Sequence, residues 1–181
     1  MLRVAFLDRD GTINADHGYV HTWDQWEFLD GAISALRSLQ VAGYRSAVVS
    51  NQSGVGRGLF TLDQVGQLHN TMRLHLARRG VTIDTIAICP HLPEDDCQCR
   101  KPQRGLADVV ERSLESPINY AQSWMIGDKP SDVEFARRIG TSSALIRSRY
   151  WDDDTLDTNP DLIGESLYDV VQVILSDGEP L

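Results

Sequence analysis

Short apolar segments alternate with amphipathic segments along most of this chain. The apolar segments predict strands, and the segments between them repeat apolar residues every three or four positions, as on one face of a helix. The predicted strands cover residues 4–7, 46–49, 83–88, 123–126 and 143–146, and predicted helices include 32–41, 106–114 and 167–175. Such alternation favours an α/β fold, a doubly wound and mostly parallel sheet with helices on both faces.

Two further helices are predicted from their boundaries. A capping box begins at Thr61, and the helix that follows it ends at Gly80. A second capping box, from Ser131 to Glu134, predicts a helix that stops at Gly140. We expect residues 1–181 to form one domain, with an irregular loop at 89–104 and a loose tail at 176–181.

Composition restricts the partners that this chain can have. The net charge of −9 argues against a broad nucleic-acid-binding face, and no apolar run approaches the length of a membrane span. The three cysteines all fall between positions 89 and 99, which suits metal binding better than a disulfide framework. We therefore expect a cytoplasmic monomer that binds a small molecule, with neither nucleic acid nor membrane as a partner.

Asp8 and Asp10 lie one residue apart at the end of the first predicted strand, and Gly11 follows them. Because side chains alternate along a strand, both carboxylates are expected to point the same way as the chain leaves the sheet. Adjacent carboxylates repel each other unless they share a cation or a proton. The pair is thus either a divalent-metal site or an acid/base pair, and the alternative is a solvated strand end followed by a turn.

Polar residues also follow the other predicted strands. Ser50 to Gly54 come after the second strand, Arg100 and Lys101 follow the cysteine-rich loop, and Asp128 follows the fourth strand. In a doubly wound sheet these positions meet beyond the carboxyl ends of the strands, where ligands bind. Asp128 is suited to complete an oxygen-rich Mg²⁺ site with the first two aspartates.

A second metal site is predicted within the loop at 89–104. Cys89, His91, Cys97 and Cys99 offer three thiolates and one imidazole, which fill a tetrahedral Zn²⁺ site and leave no open position. This indicates a structural zinc that fixes the loop and presents Arg100 and Lys101. The alternative is three small buried side chains and a surface histidine.

The chain resembles the haloacid dehalogenase superfamily of phosphotransferases. The resemblance rests on Asp8-x-Asp10-Gly-Thr, Ser50-Asn51-Gln52, Lys101, and Gly127-Asp128-Lys129-x-x-Asp132. It implies a Rossmann-like core in which Asp8 is the nucleophile that forms an aspartyl-phosphate and Asp10 is the acid/base. It further implies that Mg²⁺ is bound by Asp8, the backbone of Asp10 and Asp128, and that Ser50 and Lys101 hold the phosphoryl group.

Within this superfamily the zinc loop is similar to that of two groups of small-molecule phosphatases. One acts on a heptose bisphosphate of bacterial surface-sugar (lipopolysaccharide) synthesis and the other on histidinol phosphate. The segment at 16–20 favours the heptose group, although Cys-Pro-His-Leu-Pro is also found in the other. The resemblance implies substrate binding by Asp16, His17, Gly18, Tyr19, Asn51, Gln52, Ser53, Arg100 and Lys129. No insert is large enough for the mobile cap domain of the superfamily.

Overall fold

A six-stranded parallel sheet forms the centre of the computed structural model, which describes residues 1–176. The strands are β1 (Val4–Leu7), β2 (Arg45–Asn51), β3 (Thr85–Cys89), β4 (Trp124–Gly127), β5 (Ser142–Ile146) and β6 (Leu162–Gly164). Their order is β3-β2-β1-β4-β5-β6, so β1 lies inside the sheet between β2 and β4. Five of these strands match the predicted ones to within a few residues, and β6 was not predicted.

Six α-helices connect the strands: α1 (Ala32–Val41), α2 (Ser53–Gly56), α3 (Leu62–Ala77), α4 (Gly105–Leu114), α5 (Pro130–Ile139) and α6 (Leu167–Ser176). The capping box at Thr61 is confirmed, because its side chain accepts a hydrogen bond from the backbone of Gln64. The box predicted at Ser131 is wrong. Helix α5 begins at Pro130, a residue favoured in the first turn, and the backbone N–H of Lys129 donates instead to the carboxylate of Asp132. Of the predicted tail, Ser176 ends α6, and the remainder lies outside the described residues.

The sheet has an apolar layer on each face. Alternate residues of β1 divide between the two layers: Ala5 and Leu7 pack with residues of α1, α3 and α6, whereas Val4 and Phe6 pack with residues of α4 and α5. All four side chains are fully buried. Truncating one such core side chain, Phe6 to Ala, typically costs about 3–5 kcal/mol. The doubly wound fold is thus confirmed, and it holds the end of β1 in a fixed place.

The connections at the carboxyl edge of the sheet are loops with short helical turns. The segment between β1 and α1 folds back through single β-bridges from Asn14 to Asp10 and to Phe28, and no separate cap domain follows β1 or β2 within residues 1–176. Among the same residues, no helix has the length and apolar character required to cross a bilayer.

Candidate active site

The ends of three neighbouring strands, β1, β2 and β4, bring the predicted site residues together. Asp8 directly follows β1, Ser50 lies near the end of β2, and Asp128 directly follows β4. A cavity of about 480 Å³ opens at this edge. It is lined by Asp8, Asp10, Asp16, Gly18, Tyr19, Ser50, Asn51, Gln52, Ser53, Arg100, Lys101, Lys129, Ser131, Asp132 and Tyr150. Twelve of the residues predicted from the sequence therefore line one cavity at the carboxyl ends of the strands, where ligands bind in such sheets.

Lys101 lies between two buried carboxylates. Its Nζ is 2.8 Å from Oδ1 of Asp8 and 2.6 Å from Oδ1 of Asp132, and all three side chains are almost fully buried. Burial alone opposes ionisation of Asp8, but the ammonium groups of Lys101 and Lys129 outweigh it and lower the pKa of Asp8. Burial likewise opposes the charge on Lys101, and the two carboxylates raise its pKa. Asp8 is consequently held as a carboxylate, the form that a nucleophile needs.

Three oxygen atoms surround the ammonium group of Lys129. Its Nζ is 2.9 Å from Oδ1 of Asp128, 3.4 Å from the backbone oxygen of Asp10 and 3.8 Å from Oδ2 of Asp8. Burial, followed by the charge on Asp8, raises the pKa of Asp128 to about 8. Its Oδ2 is buried and accepts no hydrogen bond from the described residues. This set of hard oxygen donors around one cation fits Mg²⁺.

Gly11 makes room for the Asp128 carboxylate. Its φ of +87° lies in the left-handed region, and a Cβ at this position would collide with the carboxylate of Asp128. Glycine is therefore required at position 11, directly after Asp8 and Asp10.

Arg9, which separates the two aspartates in the sequence, is completely buried. It donates to both carboxylate oxygens of Asp10, from Nη2 at 2.9 Å and from Nε at 3.1 Å, and to the backbone oxygen of Val20 at 2.5 Å. Its Nη1 lies 3.2 Å from Nε2 of His69 on α3. Arg9 thus holds Asp10 and the end of the 16–20 segment together.

The polar residues at the end of β2 have different partners. Gln52 donates from Nε2 to Oδ2 of Asp10 and to Oγ of Ser50, each at 2.9 Å. Asn51 uses both ends of its amide on the backbone of Lys101: Oδ1 accepts from the N–H at 2.9 Å, and Nδ2 donates to the carbonyl at 3.1 Å. Asn51 therefore fixes Lys101 in addition to lining the cavity.

Residues 16–20, hereafter the recognition loop, form a second wall of the cavity. Asp16, Gly18 and Tyr19 line it, but His17 does not. The ring of His17 is exposed and lies 3.0 Å from the carboxylate of Glu27. His17 therefore lies outside the cavity lining, and its role as a substrate contact stays a prediction.

Cys89, His91, Cys97 and Cys99 form a compact cluster beside the site. The three sulfur–sulfur distances are 3.2, 3.6 and 3.7 Å. Nδ1 of His91 is 3.6 Å and 3.2 Å from the sulfurs of Cys89 and Cys99. A tetrahedron with Zn–S bonds of about 2.3 Å has edges of about 3.8 Å, so the donor set and its spacing fit zinc.

Electrostatics within the cluster favour at least one thiolate. Burial opposes the ionisation of Cys97, but backbone N–H groups of Arg100 and Cys99 lower its pKa to about 7. Burial and the neighbouring thiols raise the pKa values of Cys89 and Cys99. A metal cation is the usual means of ionising such a set together.

Sequence reasoning assigned no site role to several residues that the structure brings to the site. Asp132 looked like an ordinary helix-start acid, although it also stood in the superfamily motif. Arg9 and Tyr150 gave no local signal, because their roles depend on contacts with residues distant in sequence.

The fold and the site are those of hydrolases of the haloacid dehalogenase type. A family model described as HAD-hyrolase-like matches residues 98–170. A crystal structure of D,D-heptose 1,7-bisphosphate phosphatase from B. bronchiseptica, complexed with magnesium and phosphate, superposes with a TM-score of 0.86 at 30% identity, covering 98% of this chain and 100% of that one.

Curated relatives define the family more closely. The D-glycero-beta-D-manno-heptose-1,7-bisphosphate 7-phosphatase of Photorhabdus laumondii is 43% identical over 178 residues, 93% of each chain. The enzyme of the same name from Escherichia coli K12 is 41% identical over 184 residues, 97% of this chain and 95% of the relative. The chain belongs to this family of heptose-bisphosphate phosphatases.

Proposed function

We propose that this protein is a magnesium-dependent phosphomonoesterase that removes the 7-phosphate of D-glycero-D-manno-heptose 1,7-bisphosphate. The proposal depends above all on one observation: the buried carboxylate of Asp8 lies 2.8 Å from Nζ of Lys101, with Asp10 and Asp128 at the same edge of the sheet. The names of the curated relatives support the sugar substrate over histidinol phosphate. The family membership supports hydrolysis of a phosphate monoester as the reaction.

Asp8 is the proposed nucleophile. One of its carboxylate oxygens attacks phosphorus, the bond to the sugar oxygen breaks, and an aspartyl-phosphate forms. The hydrogen bond from Lys101 to Oδ1 of Asp8 fixes the carboxylate plane. Lys101 and the hydroxyl of Ser50 are proposed to bind the phosphoryl oxygens and balance the charge that develops on them.

Asp10 is the proposed general acid and base. It gives a proton to the sugar oxygen as that bond breaks, and then removes a proton from the water that hydrolyses the aspartyl-phosphate. Hydrogen bonds from Arg9 and Gln52 hold its carboxylate in one orientation through both steps.

Asp8, Asp128 and the backbone oxygen of Asp10 are proposed to hold Mg²⁺, which supplies positive charge to the phosphoryl oxygens when it is bound. The thiolates and imidazole of the 89–104 loop are proposed to hold a structural Zn²⁺. The cluster ends one residue before Arg100, so it would fix both Arg100 and Lys101 at the cavity. The planar guanidinium of Arg100 suits a second phosphate of the substrate.

The other proposed substrate contacts are four residues of the recognition loop and four residues elsewhere: Asp16, His17, Gly18, Tyr19, Asn51, Gln52, Ser53 and Lys129. All of them except His17 line the cavity. We further propose that residues 1–181 act as one cytoplasmic, monomeric phosphatase domain. None of the three cysteines forms a disulfide, which is consistent with a reducing compartment. Light scattering after size exclusion tests the monomer.

Phosphate release from a panel of substrates tests the proposed function. We expect turnover of the heptose bisphosphate to exceed that of histidinol phosphate and of a 3′-phosphorylated oligonucleotide. Asp8→Asn is expected to abolish turnover, and Asp10→Asn to slow it severely while magnesium still binds, because the metal contact there is a backbone oxygen. Asp63→Asn, at an exposed carboxylate on α3, is the matched control.

Two results would contradict the proposal. Turnover that survives Asp8→Asn excludes the aspartyl-phosphate route. A wild-type preference for histidinol phosphate keeps the chemistry but rejects the sugar substrate.

A further inference from the structure

The segment after β5 reaches back over the cavity, although nothing in its sequence marks it as part of a site. Tyr150 lines the cavity together with Asp8 and Lys129. We propose that Tyr150 is a positioning residue that fixes the recognition loop through Asp16, so that the loop can bind the sugar part of the substrate. This inference rests on the proposed function.

A chain of hydrogen bonds joins this segment to the recognition loop. The hydroxyl of Tyr150 donates to Oδ2 of Asp16, and Nη2 of Arg149 donates to the same hydroxyl at 3.0 Å. The other oxygen of Asp16 accepts from the backbone N–H of Gly18 at 3.0 Å. Asp16 therefore connects the turn of its own loop to Tyr150, and the loop is tied at a point within the cavity.

The segment is itself fixed to the end of β4. Oγ of Ser148 donates to the backbone oxygen of Asp128 at 2.6 Å and accepts from the backbone N–H of Tyr150 at 3.2 Å. The ring of Tyr150 covers the ammonium group of Lys129, with Nζ 4.4 Å from the ring centroid. These contacts hold Tyr150 between the end of the cavity at Asp128 and the recognition loop.

The polar contacts of Tyr150 predict which kinetic constant it affects. Among the described residues its hydroxyl contacts Asp16 and Arg149, and neither the Asp8 carboxylate nor Ser50. Loss of the hydroxyl should therefore loosen the sugar-binding wall while the phosphoryl-binding end stays in place. The main effect is expected on KM for a sugar phosphate, with a smaller effect on kcat.

Tyr150→Phe removes the hydroxyl and retains the ring over Lys129, so it is the first variant to measure. We expect KM for the heptose bisphosphate to rise about tenfold, the size typical of a lost hydrogen bond to a charged group. The ratio of kcat/KM for the heptose bisphosphate to that for p-nitrophenyl phosphate, which has no sugar, should fall by a similar factor. Tyr168→Phe is the matched control, because Tyr168 is comparably exposed and lies on α6 outside the cavity.

A double-mutant cycle distinguishes positioning from direct contact with substrate. If Tyr150 acts through Asp16, Tyr150→Phe should change KM by less than about twofold in an Asp16→Ala background. Additive effects would show that the hydroxyl binds substrate by itself, and an equal loss on both substrates would show a merely structural role. Either result overturns the inference, as does an unchanged KM in Tyr150→Phe. A wild-type protein that is inactive on the heptose bisphosphate defeats the proposed function as well.

Discussion

Asn51→Ala tests whether the cavity depends on how the Lys101 backbone is held. The amide of Asn51 makes two hydrogen bonds to that backbone, at 2.9 and 3.1 Å. The side chain of Lys101 is almost completely buried, and its ammonium group lies between the carboxylates of Asp8 and Asp132. A shift of its backbone therefore moves an ammonium group that lies 2.8 Å from the Asp8 carboxylate, whereas that of Lys129 lies 3.8 Å away.

The expected loss follows from the two contacts. A net contribution of about 1 kcal/mol for each hydrogen bond gives about 2 kcal/mol for the pair. Since about 1.4 kcal/mol corresponds to a tenfold rate change, kcat/KM should fall about 30-fold. Asn51→Asp should be intermediate, because its carboxylate can still accept from the N–H of Lys101 but has no donor for the carbonyl.

The assay compares two substrates. Every phosphomonoester shares the phosphoryl group that Lys101 is proposed to hold, so kcat/KM should fall equally for the heptose bisphosphate and for p-nitrophenyl phosphate. Asn70→Ala, at an exposed position on α3, is the control. A loss confined to the heptose bisphosphate would refute this reasoning and show that Asn51 serves mainly as a sugar contact.

Three further outcomes are expected. Cys97→Ser should remove one zinc per chain, measured by elemental analysis, and lower Tm by about 5–10 °C, because the loop that carries Lys101 loses its support. Lys101→Met should lower the free energy of unfolding in urea by about 3–5 kcal/mol, because Asp8 and Asp132 are left buried and unpaired, and adding Asp132→Asn should restore part of it. Burial, with the charges of Arg9 and Arg73, lowers the pKa of His69 from 6.5 to about 3. The unfolded chain therefore binds a proton that the folded one excludes, and the stability present above pH 6.5 is lost as the pH falls towards 3. When the pH falls from 7.5 to 5.0, the free energy of unfolding measured in urea should decrease by about 2 kcal/mol more for the wild type than for His69→Gln. Equal decreases would contradict the burial of a neutral imidazole.

Local patterns were sufficient to predict most of the fold. The capping box at Thr61 involves residues only three positions apart, so local sequence predicts it. Helix α1 occupies the predicted residues 32–41. Strand β6 has only three residues and pairs along the outer side of β5, so its formation depends on tertiary contact. The start of α5 was misplaced because Pro130 and Asp132 together outweigh the Ser131 pattern.

The residues of the candidate site also fall into two groups, those that local sequence and topology predict and those that depend on distant contacts. Residues that directly follow a strand, such as Asp8 and Asp128, could be placed from topology alone. Arg9 could not, because a buried arginine is explained only by its distant partners, His69 and the backbone of Val20. Tyr150 was missed for a similar reason: it is 134 residues from Asp16, with which it shares a hydrogen bond.

The charge balance of the site supports the proposal that it holds a divalent cation. Asp8, Asp10, Asp128 and Asp132 gather at one edge, while the buried or half-buried cations that contact them are Arg9, Lys101 and Lys129. Burial first, and then the charges of Asp8 and Asp132, raise the pKa of Asp128. One oxygen of this carboxyl group, Oδ2, is buried and accepts no hydrogen bond from the described residues. A phosphate dianion that entered this set would add to the surplus of negative charge in a region of low dielectric constant. The proposed magnesium ion would supply the missing charge, because the oxygens directed at Lys129 are the kind of ligand that it prefers.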